Sequence, residues 1–332
     1  MAMKLTPWSI ISTAIVLVLA GFAVADARDT ETTGKARASL TVMAPAAAGG
    51  GWDLVAREAQ QSLRKNKIVG TVQVSNVPGA AGTIGLSQLV RMNGQPNILM
   101  VTGTVMLGGI ARGAEFSLAD TTPIARLAED FQVVAVPAGS PFKTLDDFLT
   151  EWKKDPGAIP IGGGSAGGVD HLVAGQLAKS VGIPGSALKY TPHSGGGELT
   201  ISLLSTAAGT VNVGVSGFND FRDMIESGKL RALAVAAPER LSGVDIPTMT
   251  ELGHPEVDLV NWRGLVGAPG ISEVDRSELT AIVTEMVATP EWKAAVTRNR
   301  WKENFLTGAE FETFIAEEQK AISALLKELG LA

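Results

Sequence analysis

Glycine, serine, histidine and carboxylate side chains gather in three short stretches of this 332-residue chain, at 45–53, 162–171 and 191–198. Each stretch lies between an apolar run and the start of a helical pattern. A loop of this kind leaves backbone N–H groups unpaired at the positive end of a helix dipole, which makes an anion site without any cationic side chain. Glycine suits it because the backbone can then approach a ligand closely. The plainer reading is that these glycines only make tight turns, and for any single loop that reading suffices. Two of the loops, however, share a spacing: Gly50-Gly51-Trp52-Asp53 and Gly167-Gly168-Val169-Asp170. An aspartate in a first helical turn complements the dipole by about 0.3–1 kcal/mol, so Asp53 and Asp170 read equally as caps and as ligand contacts. A carboxylate facing a bound carboxylate would repel it, so such a contact needs a ligand hydroxyl, an amine or a bridging water.

Two catalytic patterns overlap the second loop. Gly162-x-Gly164-x-x-Gly167 has the spacing of a dinucleotide fingerprint, but that site wants an acidic residue about twenty positions on, where this chain has Leu188-Lys189-Tyr190-Thr191. Gly163-x-Ser165-x-Gly167 has the spacing of a nucleophile elbow. A triad also needs a histidine and an orienting acid. The histidines are His171, His193 and His254, and the order serine–acid–histidine permits His254 with Asp220 or Asp223. The oxyanion loop should precede the serine, yet Gly195-Gly196-Gly197 follows it. An α/β-hydrolase-like secreted esterase using Ser165 is therefore the alternative to a binding protein that is not an enzyme. Individually, Trp52 reads as core, His171 as a helix-start residue satisfying a backbone carbonyl, and His254 as a turn residue. Three scattered histidines and no cysteine imply no dedicated metal site, no disulfide and no cofactor.

The elements that must position these loops repeat in order. Apolar runs predict strands at 39–44, 71–75, 97–102, 132–137, 158–161, 187–190, 210–215 and 230–236, with a further extended segment at 260–268. Helical spacing predicts helices at 52–65, 84–92, 169–181, 198–205, 218–227, 273–288 and 311–329, and one beginning near Thr144 and Asp147. Segment 103–109 reads as a loop. Thr307-x-x-Glu310 has the form of a capping box. Strand–glycine loop–helix alternation argues for an α/β fold with parallel sheets covered by helices.

The first 25 residues stand apart. Lys4 precedes an apolar stretch from 8 to 24 that ends in Ala23-Val24-Ala25, a small-x-small cleavage pattern. Its strongly apolar core is short for a bilayer span, so 1–25 reads as a cleaved signal peptide. The formal net charge is −6, and −7 once Lys4 is removed with that segment. No basic run is present, which argues against nucleic acid and anionic membrane surfaces as partners.

Taken in order, the loops resemble one family. The carrying stretches are 44–53, Asn76-Val-Pro-Gly-Ala-Ala-Gly-Thr-Ile-Gly85, Gly164-Ser-Ala-Gly-Gly-Val-Asp-His171, Tyr190-Thr-Pro-His-Ser-Gly-Gly-Gly-Glu198, Gly228-Lys-Leu-Arg-Ala-Leu-Ala-Val235, Pro238-Glu-Arg-Leu241 and Pro247-Thr248. Together they are similar to the substrate-binding proteins of tripartite tricarboxylate transporters, the Bug family, almost end to end along the mature chain. The resemblance implies a two-lobed periplasmic-binding-protein fold of type II, with parallel or mixed sheets, flanking helices and a ligand cleft between lobes. Lobe 1 would combine 38–131 with 237–332, lobe 2 would be 132–236, and the hinge would lie near 129–131 and 236–238. The protein would be a periplasmic monomer that passes a small di- or tricarboxylate to transporter membrane subunits. The Trp52 form of the first loop resembles the branch that includes citrate binders.

The expected site follows from the same loops. Ala48, Gly49, Gly50, Gly51, Trp52 and Asp53 would hold one carboxylate. Ser165, Ala166 and Gly167 would hold a second from the other lobe. His193, Ser194 and Gly195 would close over the ligand, and Thr104 and Ser216 would add hydroxyls. No arginine lies in these loops, so recognition is expected to run through backbone amides, hydroxyls and waters.

Overall fold

The structure is a computed structural model and describes residues 34–205 and 211–331. The expected signal segment 1–25, and Thr210 at the head of the expected strand 210–215, lie outside the described residues. Eleven strands are described: β1 Ser39–Ala44, β2 Thr71–Asn76, β3 Ile98–Gly103, β4 Thr122–Asp130, β5 Gln132–Pro137, β6 Ile161–Gly163, β7 Tyr190–Pro192, β8 Val213–Gly217, β9 Leu230–Ala236, β10 Asn261–Gly267 and β11 Lys302–Thr307. Beyond a single turn at Lys35–Ala38, the helices are α1 Gly51–Lys65, α2 Thr83–Arg91, α3 Thr104–Ala111, α4 Leu145–Lys154, α5 Val169–Ser180, α6 Gly196–Leu204, α7 Phe218–Glu226, α8 Glu273–Ala288, α9 Pro290–Arg298 and α10 Gly308–Glu328.

The strands form two mixed sheets, ordered β11-β4-β10-β3-β1-β2 and β7-β6-β8-β5-β9. β1 pairs in parallel with β2 and β3, and β6 with β7 and β8. β10 and β5 each run antiparallel to both their neighbours. Buried strands such as Ile-Leu-Met-Val-Thr-Gly of β3 are apolar without alternation because both faces are covered. Three core clusters result: one under the first sheet around Leu40, Met100 and Trp262, and two on the faces of the second, around Phe148 and Trp152 and around Phe131 and Phe221.

Several elements differ from expectation. Segment 103–109 is not a loop: Thr104–Ala111 is helix α3, wedged against the other half of the molecule so tightly that a Cβ on Gly108 would lie 2.0 Å from the Gly167 carbonyl oxygen. The glycine that suggested a loop is there for this close approach. Strand β4 escaped detection because all but its first two residues are buried on both faces, so no period-2 pattern exists. The capping box near Thr144 is present, with Thr144 Oγ1 accepting from Asp147 N–H at 3.1 Å. Thr307 caps α10 without any side-chain bond, whereas an unsuspected box joins Ser272 and Asp275 at α8.

The stretch 237–332 does not return to the first sheet at once. Leu241 and Ile246 pack with Phe131 and Phe221, and Met249 and Val257 with Phe148 and Trp152, because these apolar side chains cover the second sheet. The chain passes between the sheets at 130–132, from β4 into β5, and again at 258–261, just before β10. Gln176 of α5 holds the second passage from one side, bonding Asp258 and the Leu259 N–H.

Candidate functional site

Six strand-to-helix junctions, those after β1, β2, β3, β6, β7 and β8, meet between the sheets, at the carboxyl ends where open α/β folds bind ligands. They enclose a cleft of about 960 Å³. Helices α1, α5 and α6 enter it from N-cap glycines Gly50, Gly168 and Gly195, none with a side-chain cap bond. Their first-turn N–H groups have no intrahelical acceptor.

Of the expected residues, the cleft brings together Gly50, Gly51, Trp52, Ser165, Ala166, His193, Ser194, Gly195 and Ser216. Ala48, Gly49 and Asp53 face a separate recess of about 380 Å³ behind the first loop. The Asp53 carboxylate is fully engaged there: Gly49 N–H donates to Oδ2 at 2.8 Å, Arg57 Nε to Oδ2 at 2.8 Å, and Asn76 Nδ2 to Oδ1 at 2.9 Å. Burial would raise its pKa, but these donors outweigh it and hold the carboxyl below its ordinary value. Asp53 is thus the brace of the loop. Thr104 is also displaced from its expected role. It is buried, donates to the Val260 carbonyl at 3.0 Å and accepts from Trp262 N–H at 3.2 Å, tying β3 to the second passage. Gly167 does not line the cleft either; its N–H donates to His171 Nδ1 at 3.0 Å.

The histidines are committed elsewhere. His171 stacks on Tyr190 with ring centroids 4.0 Å apart, and burial, aided by the Arg112 charge, pushes its pKa down to about 4. His193 Nδ1 lies 3.1 Å from the Gly163 carbonyl, and His254 Nδ1 lies 3.0 Å from Ser180 Oγ. Asp220 accepts from Ser216 Oγ at 2.7 Å, and Asp223 pairs with Arg222. The serine–acid–histidine geometry required of Ser165, His254 and Asp220 or Asp223 is not formed. Gly164 N–H, which a dinucleotide loop would offer to a pyrophosphate, donates instead to Asp170 Oδ2 at 2.8 Å.

The floor of the cleft was not legible in the sequence. Gln132 opens β5, Asn261 opens β10, and Arg263 and Asp220 lie beside them. Arg263 Nη2 donates to Asp130 Oδ2 at 3.0 Å and packs under α1, where a Cβ on Gly51 would lie 2.7 Å from it. At the rim, exposed Arg112 of the α3 C-cap donates from Nη1 to the Ala166 carbonyl at 2.7 Å, spanning the cleft. The expectation of a site without cationic side chains is therefore corrected: two guanidinium groups line it, Arg263 from strand β10 and Arg112 from the end of α3, both outside the loops expected to hold the ligand. Buried carboxyls balance them. Burial pushes Asp170 up to about 7 and Asp220 up to about 6, the first opposed by the Gly164 N–H and the second by the Ser216 hydroxyl. Four residues that line this space each carry a buried side-chain atom with no hydrogen-bond partner: Trp52 Nε1, Gln132 Oε1, Asn261 Oδ1 and Arg263 Nε. An unpaired buried group costs about 1–3 kcal/mol.

Two mixed sheets linked by two strand passages, with a polar cleft ringed by helix starts, define a two-lobed α/β binding protein. The model of the tripartite tricarboxylate transporter family receptor matches residues 55–331, and the chain belongs to that family. Protein BugT of Bordetella pertussis (strain Tohama I) is 23% identical over 297 residues, 88% of this chain and 89% of BugT. Two solved structures share the fold: MatC from Rhodopseudomonas palustris with bound malate (TM-score 0.74, 22% identity, covering 87% of this chain and 98% of MatC) and an R. palustris protein with adipate (TM-score 0.80, 18% identity, covering 90% and 99%).

Proposed function

We propose that this protein is exported to the periplasm as a monomer, captures a small di- or tricarboxylate between its lobes and delivers it to the membrane subunits of a tripartite tricarboxylate-type transporter. The observation that carries the reading is the pairing of uncapped helix starts with guanidinium groups at the cleft: α1 over Arg263 on one side, and α5 with Arg112 on the other. One ligand carboxylate would accept from the N–H groups of Gly51 and Trp52, with Arg263 beneath. A second would accept from the N–H groups of Ser165, Ala166 and Val169, with Ser194, Gly195 and Arg112 closing over it. Bonds to a charged group are worth about 1.5–3 kcal/mol each, so four to six give a gross gain on the order of 6–18 kcal/mol. Micromolar binding needs about 8 kcal/mol net, which leaves room for desolvation and lobe movement. A ligand with two carboxylates bridges the lobes and favours their approach, which a monocarboxylate does not.

In this scheme lobe 1 holds the first sheet and lobe 2 the second, with 237–257 riding on lobe 2. Malate in MatC and adipate in its R. palustris counterpart support a carboxylate ligand, and the Trp52 loop supports a citrate-like one. The test is thermal shift and calorimetry on the mature chain with succinate, adipate, malate, tricarballylate and citrate. Micromolar binding of at least one di- or tricarboxylate, with Ser165→Ala weakening it only severalfold, is expected. Indifference to all of them, or an esterase activity lost in Ser165→Ala, overturns the reading.

A further inference from the structure

The cleft has two chemistries. Its walls offer donors: the first-turn N–H groups of α1, α5 and α6, and the guanidinium groups of Arg112 and Arg263. Its floor offers acceptors. Gln132 and Asn261 are only 1% and 2% exposed, yet their side-chain oxygens Oε1 and Oδ1 have no donor. They sit beside the carboxyls of Asp170 and Asp220, and Gln132 also hydrogen-bonds Asp170. Each residue begins a strand directly after one of the two passages between the sheets, so the floor is built from backbone that tertiary structure holds in place.

A carboxylate has only acceptor atoms and cannot satisfy these oxygens. A group that carries hydrogen can. We infer that the cleft floor recognises a hydrogen-bond donor, a hydroxyl or an ammonium, carried on the carbon chain of the bound carboxylate, with the side-chain oxygens of Gln132 and Asn261 as the receiving atoms. The inference rests on the carboxylate reading above and narrows it to hydroxy- or amino-substituted acids. A ligand that lacks the donor leaves the two acceptors as they are in the empty cleft, whereas one that carries it relieves buried unpaired groups, and that difference is the discrimination.

Matched acids test this on the mature wild-type chain by calorimetry at pH 7.5. Succinate, malate and aspartate share one skeleton with hydrogen, hydroxyl or ammonium at one carbon; tricarballylate and citrate form a second pair. The substituted member of at least one set should bind tenfold or more tightly than its parent. Malate against aspartate then tells hydroxyl from ammonium. Parents that bind as tightly as their substituted counterparts overturn the inference while leaving the carboxylate reading intact. Failure of all five acids and of adipate to bind overturns both, whereas binding of adipate alone overturns the inference only. In Gln132→Leu and Asn261→Leu the substituted-to-parent ratio should fall towards one, whereas a purely structural role would weaken both members alike and leave the ratio unchanged. Should either variant not fold, the wild-type ratios alone decide.

Discussion

Asp53 and Asp170 close two similar strand-to-helix turns one residue out of step, Asp53 as the third residue of α1 and Asp170 as the second of α5. In each, a left-handed glycine (Gly49 at φ +85°, Gly167 at φ +78°) precedes the N-cap glycine, and the aspartate in the first helical turn accepts an upstream glycine N–H at 2.8 Å. Their fates then diverge. Asp53 gains Arg57 and Asn76 and is held ionised, while Asp170 faces the cleft beside Asp220 and is pushed up to about 7. One motif thus serves as a brace on one side and as part of the floor on the other.

The brace should be costly to remove. Asp53→Ala strands the Gly49 N–H and Asn76 and frees Arg57, so it should destabilise the protein by about 2–4 kcal/mol, since bonds to a charged group are worth roughly 1.5–3 kcal/mol each. Chemical denaturation measures this; a loss below half a kcal/mol would show that the loop holds without the carboxylate.

Burial of Asp170 and Asp220 makes stability pH-dependent. Their folded pKa values, about 7 and about 6, exceed the ordinary aspartate value, so the native state binds more protons than the unfolded chain between about pH 4 and pH 7. The stabilisation is present below that window and is lost as pH rises through it. The melting temperature of the ligand-free protein should therefore rise by a few degrees from pH 8 to pH 5, and Asp170→Asn should flatten the slope. Below pH 4 the trend reverses as carboxylates held low, such as Glu291 at about 2, take up protons.

Glycines of the first loop differ in tolerance. A Cβ on Gly50 meets nothing nearer than the Ala47 carbonyl at 3.5 Å, while one on Gly51 meets Arg263 Nη2 at 2.7 Å. Gly50→Ala should keep affinity within about threefold, and Gly51→Val should lower it at least a hundredfold in a protein that still melts cooperatively. Calorimetry on both variants separates them, and equal affinities would place the α1 start outside the site.

Arg112 reaches across the cleft from an exposed position, so its loss should be felt in binding more than in folding. Arg112→Ala should weaken carboxylate binding about tenfold or more, the equivalent of one charge-assisted bond, with a melting temperature within about 2 °C of wild type. An unchanged dissociation constant would mean that Arg112 only props the Ala166 carbonyl.

Much of the rim could be read from sequence because glycine, serine and histidine cluster there locally. Gly50, Ser165 and Ser194 each announce a strand-to-helix turn within a few residues. The floor could not. Gln132 and Asn261 lie far apart along the chain, on strands whose apolar neighbours look like ordinary core, and only the two passages between sheets set them side by side. Arg112 was missed for a related reason: α3 is apolar on all sides and rich in glycine, because it is pressed between lobes rather than exposed on one. Strand β11 was hidden because Lys302 and Glu303 at its start face solvent on an edge strand.

The end of α10 has a mechanical meaning. Leu329 packs against Gly175 and Gly185 so closely that a Cβ on Gly185 would lie 1.8 Å from the Leu329 oxygen, and Glu328 pairs with Lys179. Two strand passages alone would let one half swing about the line joining them. The tail is one of several non-covalent ties between the halves, with α3 against Gly167 and Asn219 donating to the Asn299 carbonyl, and such ties resist a swing that the passages alone would allow. How far the mouth opens then depends on a handful of contacts remote from the cleft itself.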